Sequence, residues 1–169
     1  FKDSKKEVIR LEKENPLVSI ITPCYNGENV MHRLLDSILS QTYSNIEFIL
    51  INDGSTDHSE EIWYQYEKKF NEKGIKTIYI HQRNQGLGAA INAGLKVFTG
   101  DYLCWPDIDD YFEDTSVEKR VNFLETHKEY GSVSSDANQY MEDNLSEPVG
   151  TMASWLKHKE DEWQFEWLL

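Results

Sequence analysis

From residue 17 onward, short β-rich apolar runs alternate with stretches of helical periodicity, and short polar loops join them. That order allows few folds. It predicts a mostly parallel sheet with helices on both faces and right-handed crossovers. Residues 17–22 read as a buried strand, and Pro23-Cys24-Tyr25-Asn26-Gly27 turns the chain. Residues 28–40 repeat Val30, Leu34, Leu35, Ile38 and Leu39 at helical spacing. A second strand is expected over 46–51. A second helix should follow to about Lys73, capped by Thr56 or Asp57 and ended by Gly74. Residues 77–80 form the third strand, 86–97 the third helix and 102–105 the fourth strand. A fourth helix is expected over 116–127 and a fifth strand over 132–135. Residues 138–150 are the least regular stretch.

Composition narrows the partners. With 30 acidic against 17 basic residues the net charge is −13, which disfavours a nucleic-acid backbone as partner. Any anionic ligand must instead meet a cation or backbone donors. Cys24 and Cys104 fall at strand ends with no CxxC spacing and read as small core residues of a reduced protein. No apolar run approaches the roughly 20 residues that cross a bilayer, and the charged N-terminus has no secretory pattern. A cytoplasmic setting is therefore expected. The chain starts at Phe1 and stops inside an aromatic run at Leu169, so both ends read as cuts in a longer polypeptide. The organisation expected is a helical leader over 1–16, a ligand-binding domain over 17–150 and the start of a further region over 151–169.

Ligands of open α/β sheets bind beyond the carboxyl ends of the strands, and polar residues gather there. The first such loop holds Pro23, Tyr25, Asn26 and Glu28; the second holds Asn52, Asp53, Ser55 and Asp57. The third adds Arg83, Asn84, Gln85, Gly86 and Gly88, and the fourth is Asp107-Ile108-Asp109-Asp110. If the last segment is extended, Asp107 and Asp109 project to one side. Two carboxylates that close repel unless a cation sits between them. Oxygen-only ligands suit Mg2+ or Mn2+, which would bridge to phosphate oxygens. Asp110 or Asp114 could alternatively cap the next helix. Gly86 and Gly88 allow close backbone approach at a helix start, where phosphate is favoured. The first loop has neither a GxxxxGK[ST] nor a GxGxxG pattern, so P-loop and dinucleotide folds lose support.

Six segments then occur in order: Val18-Ser19-Ile20-Ile21-Thr22-Pro23-Cys24-Tyr25-Asn26, Ser37-Ile38-Leu39-Ser40-Gln41-Thr42-Tyr43, Ile51-Asn52-Asp53-Gly54-Ser55-Thr56-Asp57, Asn84-Gln85-Gly86 with Ala90-Ile91-Asn92-Ala93-Gly94, Gly100-Asp101-Tyr102, and Asp107-Ile108-Asp109-Asp110. Together, over about 17–145, they resemble the family 2 inverting glycosyltransferases of the GT-A fold. The resemblance implies a Rossmann-like three-layer α/β/α domain with a mostly parallel sheet, cut short at its C-terminus. It also implies transfer of a sugar from a nucleotide-sugar, usually a UDP-sugar, to an acceptor hydroxyl with inversion. A non-catalytic nucleotide-sugar-binding module is the alternative. Pro23 and Tyr25 would line the nucleobase pocket with Asn26 and Glu28 near, and Asp53 would hold the base. Asn84, Gly86 and Asn92 would lie along the nucleotide. Asp107 would touch the ribose or the metal shell beside Ile108, and Asp109 would ligate Mn2+ or Mg2+. The acceptor implied is a saccharide or a lipid-linked one, at the inner face of the cell membrane, in cell-surface polysaccharide synthesis.

Two departures stand out. Many relatives carry Arg where this chain has Ile91, and Arg83 is a candidate substitute. Inverting transfer also needs a general base, which in the family lies well downstream of the acidic motif; it is expected beyond Leu169. Asp161 and Glu162 read as an exposed helix start. A receiver domain would want a phosphorylatable Asp ending the third strand, where His81 stands. A nucleotidylyltransferase would want a basic first loop, which is absent. The aromatic segment from Trp155 to Leu169 is expected to pack on a partner surface or to self-associate.

Overall fold

The computed structural model describes residues 15–141 and 144–151. Most of the expected leader and the segment from Trp155 to Leu169, with Asp161 and Glu162, lie outside them. Contacts divide the chain into two units, Phe1–Thr126 and His127–Leu169.

In the first unit strands and helices alternate: β1 (Val18–Cys24), α1 (Met31–Leu39), β2 (Ile46–Asn52), α2 (Ser59–Glu72), β3 (Lys76–His81), α3 (Leu87–Gly94), β4 (Tyr102–Cys104) and α4 (Ser116–Thr126). The four strands form one sheet in the order β3-β2-β1-β4, with every pair parallel. Val18 pairs with Ile46 on one side and Tyr102 on the other. The order reverses between β1 and β4, since β2 and β3 extend one way and β4 returns to the far side. Such a switch opens a crevice at the strand ends.

Period-2 alternation decides which face each side chain joins. Val18, Ile20, Phe48 and Leu50 pack with Met31, Leu34 and Leu35 of α1, Trp63 and Phe70 of α2, and Val117 and Val121 of α4. Ile21, Ile49 and Ile51 face the other way, onto Ala90 and Ala93 of α3. The helix α3 can lie this close because its inner residues are small. A Cβ at Gly94 would overlap the Ile21 side chain and reach 3.1 Å from Ile51 Cδ1. Gly94→Ala is therefore expected to destabilise by about 1–3 kcal/mol through overpacking, read as a lower urea midpoint at unchanged slope.

One carboxylate is built into the sheet. Glu47 is fully buried in β2. It accepts hydrogen bonds from Ser19 Oγ (2.6 Å), Lys76 Nζ (2.8 Å), Thr99 N (2.5 Å) and Thr99 Oγ1 (2.8 Å). Ser19 Oγ in turn accepts from Gly100 N at 2.8 Å. Burial alone would raise the Glu47 pKa; these bonds, led by the one from Lys76, outweigh it and hold the group at about 2.

Helix ends differ from the sequence expectation. The N-cap of α2 is His58, which makes no side-chain cap bond; Asp57 Oδ1 instead accepts from Ser59 N at 3.1 Å. Neither Asp110 nor Asp114 caps α4. Gln41 does, its Oε1 accepting from Val117 N at 3.0 Å, while Gln41 Nε2 donates to Glu113 O at 2.9 Å. Ser37 Oγ accepts from Phe112 N at 3.0 Å. Ser37 in α1 and Gln41 just past its end thus hold the chain that follows the acidic motif.

The second unit contains a short antiparallel pair, β5 (Asn138–Gln139) with β6 (Gly150–Thr151). Residues 132–135 do not form the expected fifth strand. Val133 is their only apolar side chain, too little alternation to bury one face of a strand.

Candidate functional site

The loops after β1, β2, β3 and β4 meet at the carboxyl edge of the sheet, where the strand order reverses. They enclose a cleft of about 460 Å³, a size suited to a small ligand. Its lining includes Pro23, Tyr25, Asp53, Asn84, Gly86, Asp107, Ile108 and Asp109, so most of the candidate residues come together here. Asn26, Glu28 and Asn92 do not line it, nor does Arg83; Asn92 and Arg83 are exposed. Cys24, Leu87 and Ala90 complete the wall. Ala90 was not singled out from the sequence; its four-residue spacing from Gly94, which puts both on the inner face of α3, is a signal that could have found it. Leu87, 58% exposed, had no such signal. Burial raises the Cys24 thiol above its ordinary value, as expected of a core residue rather than a nucleophile.

Asn26 and Glu28 brace the first two loops against each other. Asn26 sits at φ 53°, in the left-handed region. Its Oδ1 accepts from Thr56 N at 2.8 Å, and its N–H donates to Ser55 Oγ at 3.0 Å. Gly27 N donates to Ser59 Oγ (2.8 Å) and Glu28 N to Asp57 Oδ2 (3.0 Å), while His58 N donates to Glu28 Oε2 (2.9 Å). Burial opposes ionisation of Asp57, but bonds from the Ser59 hydroxyl, Glu28 N–H and Ser59 N–H outweigh it and lower its pKa.

Asp53 directly follows β2 and is 3% exposed. Oδ1 accepts from Gln82 Nε2 (2.7 Å) and Gln85 N (2.9 Å), and Oδ2 accepts from Gly86 N (2.8 Å). Burial would raise its pKa; these three donors, Gln82 first, bring it below the usual carboxylate value. An ionised Asp53 accepts hydrogen bonds and donates none. Gly86 is the N-cap of α3 at φ 85°, a conformation glycine adopts without strain. It brings the helix N-terminus to the cleft, where the dipole favours negative charge.

The acidic motif is a turn rather than an extended segment, closed by Asp110 N–H to Asp107 O at 3.2 Å. Alternation along a strand therefore does not explain the placement of Asp107 and Asp109, although both line the cleft. Burial, with the charges of Asp109 and Asp107, raises the Asp110 pKa against a hydrogen bond from Asp107 N–H. Among the described residues no three His, Cys, Asp or Glu side chains gather as a ready metal cage. Asp107 and Asp109 line the cleft, and two carboxylates are the kind of donors that an ion such as Mg2+ takes when phosphate and water fill its other positions.

The sequence model of glycosyl transferase family 2 matches residues 19–166. The chain belongs to glycosyl transferase family 2. Similar proteins include a glycosyltransferase of Rickettsia prowazekii, 44% identical over 110 residues that make up 65% of this chain and 32% of the relative. The glycosyltransferase GlyA of Streptococcus pneumoniae is 46% identical over 60% of this chain and 14% of its own length. The chain thus spans about a third or less of these two relatives. Among solved structures, S. aureus TarS 1-349 in complex with UDP superposes with a TM-score of 0.60 at 26% identity, over 66% of this chain and 33% of that one. A mannosyltransferase from Pyrobaculum calidifontis, in complex with GDP-Man and Mn2+, matches with a TM-score of 0.61 over 65% of this chain and 32% of its own. At 22% identity that second likeness shows the shared fold, a GT-A type with a mostly parallel sheet. No helix among the described residues is long and apolar enough to cross a membrane.

Proposed function

We propose that this chain holds the nucleotide-sugar donor of a family 2 transferase, a UDP-sugar in the first instance, and that Asp107 and Asp109 bind the divalent ion accompanying its diphosphate. The observation that carries this reading is the meeting of Asp53, the Gly86 end of α3 and the Asp107–Asp109 turn in one cleft at the point where strand order reverses. TarS, which binds UDP, supports the choice of nucleotide.

Each residue has a task in this reading. Tyr25, 53% exposed at the cleft, offers a ring face to a base. Asp53 accepts an N–H from the base, as uracil can supply. The Gly86 end of α3 offers positive dipole to phosphate. The ion, Mn2+ or Mg2+, would stabilise negative charge on the departing nucleoside diphosphate. Attack by the acceptor hydroxyl on the anomeric carbon, opposite that leaving group, would invert the centre. The hydroxyl proton must pass to a general base, and none of the described cleft residues is assigned that part. The acceptor, a saccharide or a lipid-linked one, and a role in cell-surface polysaccharide synthesis rest on resemblance alone.

Calorimetric titration with UDP, with and without Mn2+, tests the reading beside Asp109→Ala. The expected result is heat of binding that strengthens with Mn2+ in the native protein. In the variant the Mn2+ dependence disappears. Native protein silent toward UDP, GDP and dTDP alike would sink the donor reading.

A further inference from the structure

The cleft depends on a side chain outside the acidic motifs. Gln82 follows β3, and its backbone N–H donates to Asn52 O at 2.9 Å. That bond sets the side chain beside the end of β2. The Gln82 amide then meets Asp53 Oδ1 at 2.7 Å, the shortest of the three bonds to this carboxylate. The same carboxylate receives the N–H groups of Gln85 and Gly86, so its rotamer sets where α3 begins. The two loops are in tight contact here: a Cβ at Gly54 would come within 2.7 Å of Asn84 N and 3.3 Å of Gln82 O. Asp53 thus has little room to move unless its donors move with it.

We propose that Gln82 is a positioning residue for nucleotide binding, acting through Asp53 to fix the Gln85–Gly86 end of α3 at the cleft; this rests on the donor reading above. A neutral amide suits the task. It donates to a buried carboxylate without neutralising it, which leaves Asp53 charged and acceptor-only toward a ligand. An isosteric carboxylate would keep the shape and reverse the interaction, since a carboxylate at the half-buried position 82 in contact with buried Asp53 would repel it until the two share a proton.

The test is therefore Gln82→Glu beside Gln82→Ala, with two readouts at pH 5 and pH 8. The first is UDP affinity at fixed Mn2+. The second, taken without nucleotide, is amide-exchange protection at Gln85 and Gly86. Other titratable groups that share the cleft with Asp53 are Cys24 at the end of β1, Tyr25 after it, and Asp107 and Asp109 after β4, while His81 and Arg83 flank Gln82 in sequence. Wild-type protein measured in parallel carries their contribution.

In Gln82→Glu, UDP affinity should fall at least tenfold below wild type at pH 8 and return to within about threefold at pH 5, as a shared proton remakes the bond. Protection at Gln85 and Gly86 should fall and recover with it. Gln82→Ala should lose both at either pH. A loss from general damage would not be restored by acid, so recovery separates positioning from mere stability. Both variants matching a wild type that binds UDP would overturn the proposal, as would a pH-independent loss in Gln82→Glu. Failure of the wild type itself to bind UDP or GDP would instead strike the donor reading, and with it the ligand part of this proposal.

Discussion

Replacing Glu47 with alanine is expected to cost about 3–5 kcal/mol of unfolding free energy, the usual penalty for removing one partner of a buried charged network. The loss goes beyond one ion pair. Lys76 Nζ, both donors of Thr99 and the hydroxyl of Ser19 all give up their acceptor at once. Urea denaturation would register it as a large drop in midpoint. The same group ties stability to acid. Its folded pKa of about 2 lies below the ordinary value of 4.5, so the stabilisation is fully present above the unfolded value. It is lost as pH falls from about 5 through 2. The difference corresponds to at most about 3 kcal/mol, reduced by water around the half-exposed Lys76. Glu47→Gln should therefore start lower and lose less between pH 5 and pH 2. An acid limb identical to wild type in that variant would show that Glu47 is not its source.

Trp63→Ala should be comparably severe, at about 3–5 kcal/mol, because the indole is fully buried at the centre of the aromatic core. Its ring lies 5.7 Å from Phe48, 5.9 Å from Phe70 and 6.0 Å from Tyr79, centroid to centroid. Trp63→Phe is the sharper comparison. The indole Nε1–H is buried with no hydrogen-bond partner among the described residues, a cost the native fold carries. Phenylalanine removes that orphan donor while leaving a smaller hole. The expected penalty is below about 1.5 kcal/mol, less than half that of alanine. A phenylalanine penalty as large as that of alanine would mean that losing the N–H costs free energy rather than relieving it, so that the indole N–H is satisfied in the native fold, for instance by water.

The sheet was legible because its signal is burial. Val18, Ile20 and Ile21 announce a strand whichever way the neighbouring loops point, and the parallel order follows from the helices between strands. Helix existence was equally plain, and the helix ends less so. Asp57, one of the two residues expected to cap α2, does satisfy an N–H there although His58 is the N-cap, whereas the cap of α4 comes from Gln41, and a cap delivered from another element leaves no local pattern. Placing loops at strand ends put Pro23, Tyr25, Asp53, Gly86, Asp107 and Asp109 near one another, and all six line one cleft. The orientation of single side chains did not follow from that placement. Asp107-Ile108-Asp109 turns where alternation assumed extension, Asn26 and Glu28 face the neighbouring loop, and Gln82 reaches Asp53 by a route no spacing rule contains. The strand expected over 132–135 rested on one valine, which cannot supply an apolar face.

The bonds between the loops after β1 and β2 bear on how this site can change over time. Backbone groups of residues 26–28 lean on side chains at Ser55, Asp57 and Ser59, and backbone groups of Thr56 and His58 lean on Asn26 and Glu28. Each stretch should therefore lose its shape when the other is replaced, and the pair should be inherited as one piece. Positions 26 and 28 should drift in step with 55–59 across related sequences. A chimaera whose crossover falls between them should lose the cleft, even when both parents bind the same ligand. Refitting the pocket to another base would call for moving both stretches together.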